Sequence, residues 1–161
     1  MNHTLSILVE NESGVLIRIA GLFARRGYNI ESLSVGRSEK PTVSRITFVV
    51  PGDTRTIGQL TKQLYKLVNV EKVQDLTIVP NVERELMIMR IEVNDTTRPK
   101  ILDLVSVFNA KIVDFTTKTL TLERTGEPDK ISSFEVLIGE FKIIEMTKTG
   151  VVSLIRDNEL I

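Results

Sequence analysis

The residues best suited to chemistry lie in one stretch, Glu10–Ile30, where Asn11-Glu12-Ser13-Gly14 precedes an apolar-periodic segment. Residues at the start of a helix have backbone N–H groups with no intrahelical acceptor. That end carries partial positive charge and suits a carboxylate or phosphate. Gly14 has no side chain to keep a ligand off the backbone. At the far end Gly27 is placed to terminate the helix, and Asn29 brings a side-chain amide to the start of the next strand. Asn, Ser and Gly in such a turn are also good helix caps. The residues alone leave both a ligand site and a cap open.

Other chemistries find little material. The chain has no cysteine and one histidine, which excludes disulfides, thiol chemistry and a His-rich metal site. His3 has no Ser or Asp at an interpretable spacing, and no Walker, GxGxxG, HExxH or GxSxG motif occurs. Glu10 with Glu12, and Glu83 with Glu85, read as solvated strand rims rather than acid–base pairs. The 21 basic residues balance the 21 acidic ones, so there is no overall electrostatic footprint for nucleic acid or an anionic membrane. No apolar run approaches the roughly 20 residues of a membrane span. The alternating pattern starts at His3, so the expectation is a protein without a leader segment, cytoplasmic or, if organelle-encoded, in the plastid stroma. Aromatic residues make up 5% of the 161-residue chain, so its core must be built mainly from Ile, Leu and Val.

The elements that would position the turn follow from periodicity. Leu5, Ile7 and Val9 alternate as a strand. Val15, Leu16, Ile19, Ala20, Leu22 and Phe23 form a helical stripe over about Gly14–Arg26. Asn29–Ser38 alternates poorly, with small polar residues on one face and Leu33 and Val35 on the other, as at a sheet edge or an oligomer contact. Val43–Val50 is a strand, a helix follows from an Asp53 or Thr54 cap to Asn69, and Val70–Val79 is a strand stopped by Pro80. The order βαββαβ then repeats: strand Glu83–Val93, a helix with Pro99 in its first turn, strands Lys111–Thr117 and Thr119–Arg124, a helix from Pro128 burying Ile131, Phe134, Leu137 and Ile138, and a last strand Phe141–Thr147. The expected fold is α+β, with two ferredoxin-like βαββαβ units in tandem, residues 1–80 and 81–161. Units this small, with sheet edges to cover, imply a homodimer or higher oligomer. RNA-recognition modules share this element order, but Phe48 shares a face with Ile46 and Val50 and reads as core.

The segment VENESGVLIRIAGLFARRGYNIESLSVG resembles the opening of an ACT domain, and specifically that of acetolactate synthase (acetohydroxyacid synthase) small subunits. The similarity continues through KLVNVEKVQDLT, VERELMIMRIEV and KTGVVSLIRD, and is less distinctive over residues 94–142. The resemblance implies that residues 1–80 are an ACT domain for effector binding and dimerisation. It also implies a non-catalytic regulatory role: activation of a large catalytic subunit and feedback inhibition by valine. The partner, not this chain, is expected to use thiamine diphosphate, magnesium and FAD. The implied valine site combines Asn11 and the N–H groups of Ser13, Gly14 and Val15 with Asn29 and Ile30 of a neighbouring chain, and an apolar pocket around Leu16, Leu33 and Val35. The exposed residues Arg25, Arg26 and Arg37 read as solvated surface. The alternatives are a stand-alone tandem ACT-type amino-acid sensor acting on another enzyme, and a nucleic-acid-binding protein of ferredoxin-like fold.

Overall fold

Strict alternation over β1 (Asn2–Glu10) buries Leu5, Ile7 and Val9 on one face. Around this strand the computed structural model, which describes residues 1–157, builds the first of two units. That unit comprises Met1–Val82 and residues 150–157, while Glu83–Thr149 forms the second. After β1 come α1 (Val15–Arg26), β2 (Ser32–Arg37), β3 (Val43–Pro51), α2 (Thr54–Tyr65) and β4 (Val70–Asp75). The antiparallel sheet has the order β2-β3-β1-β4, so the poorly alternating strand β2 is an edge. Both helices cover one face. Ile19 and Phe23 of α1, with Leu60 and Leu64 of α2, pack on Leu5, Ile7, Ile46 and Phe48. Phe23 stacks on Phe48 with ring centroids 4.7 Å apart.

The helix ends follow local rules. Gly27 sits at φ 70° and Tyr28 N–H returns to Phe23 O at 3.0 Å, closing α1 as expected for glycine. The Asp53 carboxylate accepts the Thr56 N–H at 2.7 Å and caps α2. Two boundaries differ from expectation. Helix α2 stops at Tyr65 rather than Asn69, because the Tyr65 hydroxyl bonds the Val73 backbone and residues 66–69 turn back to the sheet. Strand β4 ends at Asp75, four residues earlier than Val79. The Asp75 carboxylate takes the Thr77 N–H, and the Asn81 amide donates to the Leu76 and Val79 carbonyls, which folds the segment into a turn.

The second unit holds β5 (Asn81–Glu92, its first two residues belonging to the first unit), α3 (Thr97–Val107), β6 (Lys111–Phe115), β7 (Thr119–Gly126), α4 (Pro128–Ile138) and β8 (Ile143–Lys148). Its strand order β6-β7-β5-β8 repeats that of the first sheet. Met87, Met89 and Ile91 meet Ile101, Ile131, Phe134 and Ile138 in a separate core. Leu137, expected in that core, is 43% exposed, one position off the buried stripe of α4.

One element was not anticipated. Residues 150–157 rejoin the first unit rather than the second, so the expected division into 1–80 and 81–161 does not describe this segment. It includes β9 (Val152–Ile155), and Arg156 N–H bonds the Pro80 carbonyl at 2.8 Å. Val151 N–H bonds Ser32 Oγ at 2.9 Å, and a Cβ on Gly150 would fall 2.2 Å from the Leu33 carbonyl oxygen. The segment therefore crosses close against the backbone of β2 on the sheet face away from the helices, where only a glycine fits.

Two tests follow from these contacts. Gly150→Ala must displace the crossing segment, so a denaturant titration should find the protein destabilised by about 1–3 kcal/mol, with faster hydrogen exchange at Val151. For Asp53, the Thr56 hydrogen bonds hold the carboxyl below its ordinary value. Its stabilisation is present above the unfolded carboxylate pKa and is lost as pH falls through the lower folded value. Asp53→Ala should lower the thermal midpoint at neutral pH, and the gap from the parent should close below about pH 4.

Candidate functional site

The β1–α1 turn is built by backbone bonds from two directions. Glu10 N–H bonds the Asn69 carbonyl at 2.9 Å, and Asn11 N–H bonds the Thr42 carbonyl at 2.7 Å. Glu12 N–H returns to Glu10 O at 2.9 Å, and Val15 N–H reaches Glu12 O at 3.4 Å. Gly14 takes φ +83°, a left-handed conformation that strains any residue with a Cβ. Space around Gly14 is open: a Cβ there would meet nothing within 4 Å.

The head of α1 is uncapped by any side chain. Asn11 and Ser13 are exposed and leave the helix N–H groups free, so they do not form the caps that their residue types also allow. The first helical bond runs from Arg18 N–H to Gly14 O at 3.1 Å, so the N–H groups of Leu16 and Ile17 precede the hydrogen-bonded ladder. Val15 N–H is turned into the loop. The donors expected at Ser13–Val15 are therefore extended by those of Leu16 and Ile17, because helix register depends on the glycine conformation. Leu16 and Ile17 are 41% and 77% exposed beside these donors.

The side chains behind the turn form a charged cluster. Arg18 donates to Asn69 Oδ1, and Asn69 Nδ2 donates to Glu10 Oε2 at 3.2 Å and to Glu12 Oε2 at 3.1 Å. Glu10 and Glu12 are thus tied to one buried amide and are not a free rim. Of the other acidic pair, Glu85 is part-buried, which pushes its carboxyl up, with Lys148 opposing.

The second half of the expected site lies elsewhere in the same unit. Asn29 is exposed and Ile30 packs against the core, leaving its backbone for any contact. Glu31 N–H bonds Val49 O at 2.9 Å, and the Asn2 amide donates to Glu31 at 2.7 Å. Residues 29–31 therefore sit beside the start of β1, whereas Asn11–Gly14 follow its end. At about 3.3 Å per residue, the two halves are held roughly 25 Å apart along the strand. One chain does not bring them together. Leu33 and Val35 face the helix side of the edge strand β2, opposite Phe48 and Ile46, and are 39% and 48% exposed.

His3 has a partner that spacing did not reveal. The fold places Asp75, at the far side of β1, 2.9 Å from His3 Nδ1, and His3 is 2% exposed. His3 Nε2 is buried without a hydrogen-bond partner, whereas the Asp75 side chain is partly exposed. Among the described residues there is no cluster of three potential metal ligands and no helix long and apolar enough to cross a membrane.

Comparison with known proteins covers both units. Residues 5–72 match a family model described as an AHAS small subunit-like ACT domain, and residues 84–157 one described as the small subunit of acetolactate synthase. The chain is 45% identical over 159 residues to a probable acetolactate synthase small subunit of Archaeoglobus fulgidus, with 99% of each covered. It is 44% identical to the acetolactate synthase small subunit of Mycolicibacterium smegmatis, covering 96% of this chain and 91% of that one. The crystal structure of the acetolactate synthase small subunit from Thermotoga maritima superposes with a TM-score of 0.90 at 40% identity, over 98% of this chain and 99% of that one.

Proposed function

The chain belongs to the family of acetolactate synthase small subunits, and from that membership we propose that it activates the catalytic large subunit and makes it subject to feedback inhibition by valine. The carbon–carbon bond-forming chemistry, with its thiamine diphosphate, magnesium and flavin, falls to the large subunit. This chain contributes the sensor.

The observation that carries the effector reading is the separation of the two half-sites. The uncapped head of α1 offers N–H donors and partial positive charge for a carboxylate. An exposed amide at Asn29 offers an oxygen for an ammonium group, but at the opposite end of the sheet. A second copy pairing antiparallel along the edge strand β2 reverses the sheet direction. That operation carries Asn29 and Ile30 of one chain toward the Asn11–Val15 turn of the other. Leu33 and Val35, half-exposed on the same edge, then supply apolar surface for the isopropyl group together with Leu16. Burying those methyl-bearing carbons is worth only a few kcal/mol, so discrimination among branched-chain amino acids rests on pocket shape.

Inhibition requires that valine bind one arrangement of the dimer better than another. A site shared by two chains meets that requirement, because its occupancy depends on how the two sheets dock.

The test uses the reconstituted complex with its catalytic subunit. Gly14→Asp puts a carboxylate where the effector carboxylate belongs, and Asn29→Ala removes the amide. Each should raise the half-inhibiting valine concentration at least about tenfold, equivalent to about 1.4 kcal/mol, with activation retained. Mixed dimers of the two variants should recover valine sensitivity, because one composite site in each remains intact. Unchanged inhibition in both single variants removes this site.

A further inference from the structure

We infer that Asn69 is the positioning residue of the effector turn, and that it acts by keeping the Glu12 carboxylate from occupying the head of α1. The inference rests on the reading of that turn as the valine carboxylate site.

Asn69 lies in the connection between α2 and β4, 6% exposed, and its carbonyl and both side-chain polar atoms bond residues of the β1 end, the turn and α1. Its carbonyl accepts the Glu10 N–H at 2.9 Å, where β1 ends. Its side-chain oxygen accepts from Arg18, one turn into α1. Its side-chain nitrogen donates to Glu10 at 3.2 Å and to Glu12 at 3.1 Å. The strand exit, the turn and the helix are thus referred to one buried amide. Only an amide can do this. A carboxylate offers acceptors alone and an ammonium donors alone, whereas Arg18 requires an acceptor and the two glutamates require donors.

The charges explain why the clamp matters to a ligand. Glu12 stands two residues before Gly14, at the approach to a helix end that attracts anions. A carboxylate released there is an intramolecular competitor for the N–H groups of Leu16 and Ile17, present at high effective concentration. The amide donors of Asn69 hold both glutamate carboxylates, with Arg18 balancing one of the two negative charges. The helix head is left to an external carboxylate, and the same bonds fix the direction in which its N–H groups point.

Asn69→Asp is isosteric and keeps the acceptor for Arg18, but replaces the donor with a third negative group facing Glu10 and Glu12. Adding Glu12→Gln restores a donor and acceptor pair with the direction reversed, and returns the cluster to its original charge. Calorimetry of valine binding to the full chain should find Asn69→Asp weaker by about tenfold or more. The double variant Asn69→Asp/Glu12→Gln should return to within about threefold of the parent. A purely structural role would add the two losses rather than cancel them. Parent-like binding in Asn69→Asp, or a double variant as weak as the single one, overturns the inference. Gly14→Asp measured alongside separates the two layers: if it abolishes binding while Asn69→Asp does not, the positioning role alone falls. If Gly14→Asp also binds valine as the parent does, the effector turn itself is misassigned.

Discussion

The first unit depends on the antiparallel pairing of β1 with β3, which runs without a break from Asn2 against Pro51 to Glu10 against Val43. This ladder sets which residues of β1 face the helices, and Leu5, Ile7 and Val9 on that face meet Ile46, Phe48 and Val50 in the core. A slip of one residue would move that entire set to the other face. The same ladder fixes the ends of the sheet. Asn11 N–H continues it by one bond to Thr42, so the β1–α1 turn cannot migrate without breaking the pairing behind it.

Its length has a functional consequence. The strand that holds the Asn11–Gly14 turn at one end holds residues 29–31 at the other, through Asn2 and Val49. Sheet geometry thereby separates two sets of polar groups that suit the two ends of an amino-acid zwitterion. On the proposed effector reading, this division leaves one chain with half a site and ties ligand binding to assembly.

Around this frame several charged residues are held by partners distant in sequence. Glu10, Glu12 and Arg18 converge on Asn69, and His3 pairs with Asp75. Gly150 and Val151 back the edge strand at Leu33 and Ser32, so the strand that offers Leu33 and Val35 on one face is braced on the other. In the second unit the sheet order is repeated around a core of methionine, isoleucine and phenylalanine.

Most of the fold was legible in the sequence because it rests on local periodicity. Alternation at Leu5, Ile7 and Val9, the helical stripe from Val15 to Phe23, the terminating Gly27 and the Asp53 cap each depend on neighbours a few residues away. The repeated βαββαβ order and the motif of the β1–α1 turn were legible for the same reason, and the turn carried the family resemblance. Pairings between distant segments were not. Tertiary structure alone decided that Asn69 leaves helix α2 to hold Glu10, Glu12 and Arg18, that Asp75 meets His3, and that Gly150 lies against the backbone of Leu33. It also decided which N–H groups at the head of α1 are free, since that depends on the left-handed conformation of Gly14. Periodicity records which face of an element is buried. It carries no record of which distant polar group will satisfy a given donor, because that choice is made only when the sheet register brings the two together.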